Sequence, residues 1–456
     1  MKIEPLKFPD QNAISRIAVL NKYEKLYENK QFEVFGIHDV IKNQYKKLAD
    51  LIYLAHALPA RISDFYGDFV QGEYDKIRIE VKDNDTENNF IKDVVKSSKI
   101  KENILDWATD QSQFGFFTLL GFVVEGKYRV KAIPQDQCFP QSDGSYIFAT
   151  FTKDPNASPD DKRLLCLTHN YELVNGQVQI TRQAWRTNEM GVVMESFDYA
   201  TLCSYLGQNL LEFETIKNLK RLPVVQVDNG RRMKYGFGKS DYADIMPQLG
   251  EINEKTTHVS TVIIKNLDAK MAVPESAVDP ETHKLKSEEA YVVSKDDPKP
   301  EYVVNANSLI EETDSHIMRE LKFLSFISCV PMNELLKGVM PERVEGMRIN
   351  LFQAMRKAET KRTKLKVGIK EILEIGGEMI GKPITGEINV KLSDVLPTNE
   401  LELVQAESEK VTAGISSKKS AMKRTEGYTD EEADAELQAI NDENEIAGVN
   451  DGKLQL

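Results

Sequence analysis

Apolar positions at steps of three, four and seven mark two long stretches in the second half of the chain, with a β-type interval between them. Ile245, Leu249, Ile252, Val259, Val262, Ile263 and Leu267 form one helical stripe. The pattern predicts a helix starting at Ser240, whose hydroxyl can cap the first turn, with Asp241 and Asp244 suiting its positive end. Pro247 sits early in the stripe and is expected to bend or restart the helix. From Ser240 to Leu267 such a helix is roughly 40 Å long at about 1.5 Å per residue. Residues 270–305 break the period with prolines and the runs Tyr291-Val292-Val293 and Tyr302-Val303-Val304, which predict a small β unit. Leu309, Thr313, Ile317, Leu321, Leu324 and Ser328 restore a helical face, which Pro331 ends. After a loop over 331–346, Met347, Leu351, Ala354, Ala358, Leu365, Ile369 and Ile372 mark a third helix expected to end at Gly376-Gly377.

Elsewhere the period changes. Residues 1–33 are polar and lysine-rich and predict short helices or an arm. Ile41, Tyr45, Leu48, Ile52 and Ala55 predict a helix stopped by Pro59, with one more turn over Ile62–Phe69. Asp83–Ile100 predicts a short charged helix. Phe116–Val124, Tyr128–Ile133, Tyr146–Phe151, Leu164–Thr168, Val178–Arg182 and Leu222–Val227 read as strands. Glu125-Gly126, Asp143-Gly144 and Asn175-Gly176 separate them, the last two being hairpin dipeptides, so this region is mainly antiparallel. A strand at Ile384–Leu392 rejoins it, giving an α+β fold. Beyond Pro397 come short helices: acidic Asn399–Val411 closed by Gly414, Lys418–Thr425 capped by Ser416 or Ser417, and Asp430–Asn444 behind a Thr429–Glu432 capping box. Residues 447–456 read as a frayed tail.

Composition narrows the function. The 456 residues suffice for two to four domains, and 41% hydrophobic with 29% charged residues allows an ordinary soluble core. No apolar run approaches the ~20 residues of a membrane span, the N-terminus has no signal-peptide pattern, and the four scattered cysteines suit a reduced, cytosolic setting. A net charge of −13 argues against tight DNA wrapping, yet suits a surface that DNA must pass without being held.

Candidate chemistry is sparse. Gly238-Lys239-Ser240 has the end of a phosphate-binding loop, but Met233 stands where that loop needs glycine; a nucleotide hydrolase built on it is the weakest reading. The six histidines are isolated, the acidic pairs lack metal-loop glycines, and no catalytic, metal or cofactor site is nominated. The strongest local bias is basic: Arg343, Arg348, Arg356, Lys357, Lys361, Arg362, Lys364, Lys366 and Lys370. They form either a solvated helix face or, in part (Arg348, Arg356, Lys357, Lys361, Arg362), contacts with DNA phosphates or a neighbouring subunit.

The order of these parts resembles the portal protein, or head–tail connector, of tailed double-stranded-DNA bacteriophages, of the long-tailed type of Gram-positive hosts. Tyr235-Gly236-Phe237-Gly238-Lys239-Ser240-Asp241 leading into Ile245–Asn253 is similar to that family's entry to its first stem helix. Pro331–Gly346 running into Met347–Lys357 is similar to its tunnel loop and kinked helix, with Glu345-Gly346 where the family often has Ser-Gly. Gly414-Ile415-Ser416-Ser417 before acidic 430–445 is similar to its crown, and Pro134–Pro140 with its hairpins to its wing.

The resemblance implies a portal fold. Its parts would be an α/β wing (1–238), a first stem helix (239–269), a small β-containing clip (270–307), a second stem helix (308–330) and a tunnel loop (331–346). A long kinked helix with its closing strand (347–396), a helical crown (397–446) and a flexible tail (447–456) would follow. It implies a non-enzymatic homo-oligomeric ring, twelve-fold in the family, at one capsid vertex, without cofactor or membrane. Double-stranded DNA would pass through during packaging and ejection, and terminase, a neck or tail adaptor, capsid and scaffold proteins would be partners. The protein would reside in the virion, and in host cytoplasm during assembly. The tunnel-loop residues would be Asn333, Glu334, Leu335, Leu336, Lys337, Val339, Met340, Glu342 and Arg343; the channel-lining stem residues Glu311, Glu312, Asp314 and Glu320; the clip docking residues Glu275, Asp279, Lys284, Lys286, Glu288 and Glu289. Another capsid or adaptor component is the alternative.

Overall fold

The computed structural model describes residues 11–36, 54–82, 84–141, 143–158, 160–189, 191–217, 219–230, 237–267, 271–272, 301–302, 307–332, 344–392, 400–426, 428 and 430–451. Within these, the N-terminal half is α1 (Gln11–Tyr27), α2 (Gln31–Phe35), α3 (Leu58–Gln71), β1 (Arg78–Val81), α4 (Asp85–Ser97) and α5 (Ile100–Phe114). Strands β2 (Phe116–Val124) and β3 (Lys127–Ile133) follow, joined by Glu125-Gly126. Both turn residues have positive φ, the type I′ geometry whose twist matches a hairpin. Then come β4 (Cys138–Pro140), β5 (Tyr146–Lys153), β6 (Leu164–Val174), β7 (Gln177–Thr187), β8 (Val193–Ser196), α6 (Tyr199–Tyr205), β9 (Phe213–Ile216) and β10 (Val224–Asp228).

These strands form two antiparallel sheets. One has the order β10-β2-β3; the other runs β4-β5-β6-β7-β8, with β9 also paired to β7. The β6–β7 hairpin turns at Asn175-Gly176, again both at positive φ. Strand β6 extends through Val174, well past the expected Thr168, because β7 supplies partners along its whole length.

The second half starts with α7 (Met246–Leu267), short paired strands β11 (Met271–Ala272) and β12 (Glu301–Tyr302), and α8 (Asn307–Ser328). The antiparallel β11–β12 pair sets α7 and α8 side by side in opposite directions. The chain continues in α9 (Val344–Met379), β13 (Ile388–Lys391), α10 (Glu400–Thr412), α11 (Lys418–Thr425) and α12 (Asp430–Asp451). Strand β13 pairs with β1, some three hundred positions earlier, so the chain's two halves close on each other.

Several expectations need correcting. The helix expected from Ser240 starts at Met246; residues 241–245 form turns, with Ser240 Oγ accepting from Tyr242 N–H and donating to Gln113 O while Asp241 reaches Lys361. Pro247 therefore sits in the first turn, where a missing N–H costs nothing. Pro59 likewise opens α3 rather than stopping a helix. The helix expected at 41–55 falls outside the described residues, save that 54 and 55 are non-helical. Helix α5 was not anticipated: Ile100, Ile104, Trp107 and Ala108 form its apolar stripe, and Gln111, Ser112 and Gln113 continue the buried face at its end. Helix α9 runs through Gly376-Gly377, and α12 runs to Asp451. The glycines serve packing instead: a Cβ on Gly376 would lie 2.5 Å from the Tyr128 ring, whose hydroxyl donates to Ile372 O at 2.7 Å.

The main core lies where α9 crosses the β10-β2-β3 sheet, with Leu365, Ile369, Ile372 and Ile375 against Phe117, Leu119, Val130, Val225 and Val227. A second core gathers the stem base: Ile245, Leu249 and Ile252 of the α7 entry, Leu321 and Leu324 of α8, and Ile62 and Tyr66 of α3. Among the described side chains beyond Ile252, the buried positions of α7 are polar (Asn253, Thr257, Thr261), and Ile263 is exposed.

Gly115 and Gly238 pass so closely that a Cβ on Gly115, at φ +88°, would lie 2.4 Å from Gly238 O. Gly115→Ala is expected to lower stability by about 2–4 kcal/mol in urea unfolding. Gly126→Ala, at φ +75° in open space, should cost only the left-handed backbone term of about 1–2 kcal/mol. Equal losses would show that the close passage contributes nothing.

Candidate functional site at the stem junction

The segment entering the stem is held by one buried carboxylate. Asp241 Oδ2 lies 2.8 Å from Lys361 Nζ and accepts from Ser112 Oγ at 2.6 Å. Its Oδ1 lies 3.0 Å from Lys357 Nζ and accepts from Asn229 Nδ2 at 3.0 Å. Lys361 Nζ also donates to Asn229 Oδ1 at 2.7 Å, and Asn229 Nδ2 reaches Lys239 O at 2.9 Å. Both ammoniums stand 4.9 Å from the Tyr66 ring centroid, a cation–π placement. The Tyr66 hydroxyl and Lys357 then converge on Ser328 O, the last carbonyl of α8, at 2.6 and 3.2 Å. Positive charge at that helix end suits its dipole. One cluster thus ties the ends of α5 and β10, the entry to α7, the exit of α8 and the middle of α9.

Electrostatics follow from burial and pairing. Burial alone would raise the Asp241 carboxyl, but the Lys361 and Lys357 ammoniums overcome it and hold the group well below the usual carboxylate range. Lys361 is 1% exposed. Burial, only partly offset by Asp241, pushes it down to about 8, with Lys357 adding repulsion.

The basic residues read from the sequence are therefore mostly turned inward. Lys357 and Lys361 belong to this cluster, and the Arg362 guanidinium is buried with its Nε donating to Val70 O at 3.2 Å. Lys361 and Arg362 are thus buried within this chain and Lys357 is half-buried, so a helix face solvated along its length is excluded. Lys364 donates to Gly230 O, while Lys366 and Lys370 lie within 3.8 and 4.0 Å of Glu359 and Glu387. Arg356 alone of the described candidates stays exposed, 5.8 Å over the Phe352 ring. The Arg348 side chain lies outside the described residues.

On α8, Glu311, Glu312 and Asp314 are exposed. Glu320 is not free: it is half-buried, with Oε1 3.9 Å from His316 and 4.0 Å from Arg319. All nine tunnel-loop residues (Asn333 to Arg343) and all six clip residues (Glu275 to Glu289) lie outside the described residues. Ser112, Asn229, Tyr66 and the role of Asp241 escaped the sequence pattern. The available signal was Lys357 and Lys361, one helical turn apart on a face otherwise buried.

Other candidate chemistry resolves into structure. Lys239 of the Gly-Lys-Ser triplet pairs with Asp244, and Gly238 is required by the passage against Gly115. Among the described residues no cluster of His, Cys, Asp and Glu could hold a metal ion, and no helix is long and apolar enough to cross a membrane. A cleft of about 330 Å³ between α3 and α5 is lined by Asp64, Asp68, Asp106 and Asp110. Burial pushes the Asp110 carboxyl up to about 6 there.

Residues 345–448, spanning nearly all of α9 to α12, match the family described as phage portal protein, SPP1 Gp6-like. The resemblance to portal proteins drawn from the sequence thus has a separate footing over that quarter of the chain. No curated protein matches the chain. Among solved structures, a chain from the neck of an empty GTA particle computed with C6 symmetry is 13% identical, with TM-score 0.48, over 82% of this chain and 91% of that one. A chain from the virion of a native gene transfer agent particle is 11% identical, with TM-score 0.48, over 83% and 91%.

Asp241→Asn leaves two ammoniums without their shared counter-charge and is expected to destabilise by about 3–5 kcal/mol. Adding Lys361→Met should recover part of that loss. Because the folded Asp241 pKa lies below its unfolded value of about 3.9, the wild-type advantage is complete at neutral pH and shrinks as pH falls through the acid range. Denaturant midpoints of both proteins against pH provide the check; a gap independent of pH would refute the ion-pair account.

Proposed function

We propose, from the portal-family match over residues 345–448, that this chain is a portal subunit. Copies assemble side by side into a ring, twelve in number as the family resemblance implies, around a channel for double-stranded DNA. Residues 331–346 then form the tunnel loop, and residues 270–307 the clip that docks terminase and later a neck adaptor.

Two physical features support this reading. The distal stem has polar buried positions and exposed Ile263 and Met318, so a single copy supplies little apolar burial there. Neighbouring copies would cover such rods, consistent with a large obligate interface. Glu311, Glu312 and Asp314 are exposed on α8. Repeated around a ring they would present a band of carboxylates that repels phosphates and lets a duplex slide. The inward commitment of Lys357, Lys361 and Arg362 removes three cations that would otherwise retard it.

Negative-stain images of the purified protein are expected to show rings with a central hole. A protein that stays monomeric at every concentration, even with scaffold and capsid proteins present, would overturn the proposal. Deleting residues 333–340 should leave rings intact while blocking packaging or retention of DNA; normal genome filling would remove the tunnel-loop role.

A further inference from the structure

Strand β9 is an open sheet edge. On its outer side β7 pairs with β8 at Trp185–Thr187 and with β9 at Val178–Thr181, and no strand among the described residues takes β9's other side. The Arg182 N–H donates to Glu212 O at 2.7 Å, so this pair has its backbone groups turned toward each other. Antiparallel alternation then turns those of Glu214 and Ile216 toward β7, and those of Phe213 and Thr215 outward.

The edge is held rigidly. The Arg182 side chain is 6% exposed. Its Nη1 donates to Leu211 O at 2.7 Å, its Nη2 pairs with Glu214 Oε2 at 2.8 Å, and its Nε donates to His169 Nδ1 at 3.1 Å. Tyr199 Oη donates to Leu210 O at 2.9 Å. On this fixed backbone Leu211 is 72% and Phe213 54% exposed. Short charged edges commonly discourage strand addition. Here large apolar side chains stand outward beside unused ladder groups, while Glu212 and Glu214 flank Phe213 in a chain of net charge −13.

We propose that the free edge of β9 is a docking site for an extended strand of alternating apolar and basic residues from a partner protein. The strand joins the sheet through the outward backbone groups of Phe213 and Thr215 and packs on Leu211 and Phe213. Its basic side chains meet Glu212 and Glu214. This inference is independent of the portal reading, because it needs one copy only.

The probe is a fluorescein-labelled peptide of about nine alternating valines and lysines, titrated onto the full chain by anisotropy in about 0.15 M salt. Thr215→Pro removes an outward N–H, leaves the β7 ladder intact and changes no charge. It is expected to weaken binding at least about tenfold with an unchanged melting midpoint. Phe213→Asp should weaken it similarly, and a valine–glutamate peptide should bind far more weakly to wild type. Equal affinity for wild type and Thr215→Pro would reveal mere charge attraction and overturn the proposal. So would absence of binding to wild type, or a valine–glutamate peptide binding as well as the lysine one.

Discussion

A single carboxylate, buried between two ammoniums, sets the geometry on which the rest of the molecule depends. Asp241 accepts from Lys361, Ser112 and Asn229 and pairs with Lys357, so one side chain fixes where four backbone segments meet. Buried charge of this kind gains little net stability over a well-packed apolar cluster, yet it tolerates few alternative arrangements. The direction in which the chain leaves β10 for the stem follows from that constraint. So does the late start of α7, since turns at 241–245 keep Asp241 facing the lysines instead of a helix end.

Helix α9 serves as a spine because of what it lacks as much as what it carries. Gly368 and Gly376 let it lie close against Val227 and Tyr128. Its basic residues reach sideways and inward to carboxylates, carbonyls and a tyrosine ring. An acidic chain that buries several of its cations becomes more acidic on its outside than its net charge suggests. The charge balance and the packing of α9 are thus one arrangement seen at two scales.

The stem shows the opposite balance. Its base is fixed by an apolar core and the Asp241 cluster, while among the described side chains farther along α7 Asn253, Thr257 and Thr261 are buried and Ile263 is exposed. Thr257 and Thr261 bond back to carbonyls four residues earlier, and Thr257 Oγ1 also accepts from the Leu54 N–H.

The amino-acid sequence alone determined the period of each long element. It placed the β2 strand, the Asn175-Gly176 hairpin and the Lys418–Thr425 helix, capped by Ser416 or Ser417, of which the structure selects Ser417, because those depend on neighbours within a few residues. The same residues carried the family resemblance through their order. Only the tertiary structure decided what Asp241, Lys361 and the paired glycines are for. Apart from Asn229 beside Asp241, their partners lie more than a hundred positions away, and a lysine on an amphipathic pattern carries no mark of whether it will face water or a buried carboxylate. The last turn of helix α5 was illegible for the same reason: Gln111, Ser112 and Gln113 are buried there, and such groups can be buried only where other segments supply their hydrogen bonds.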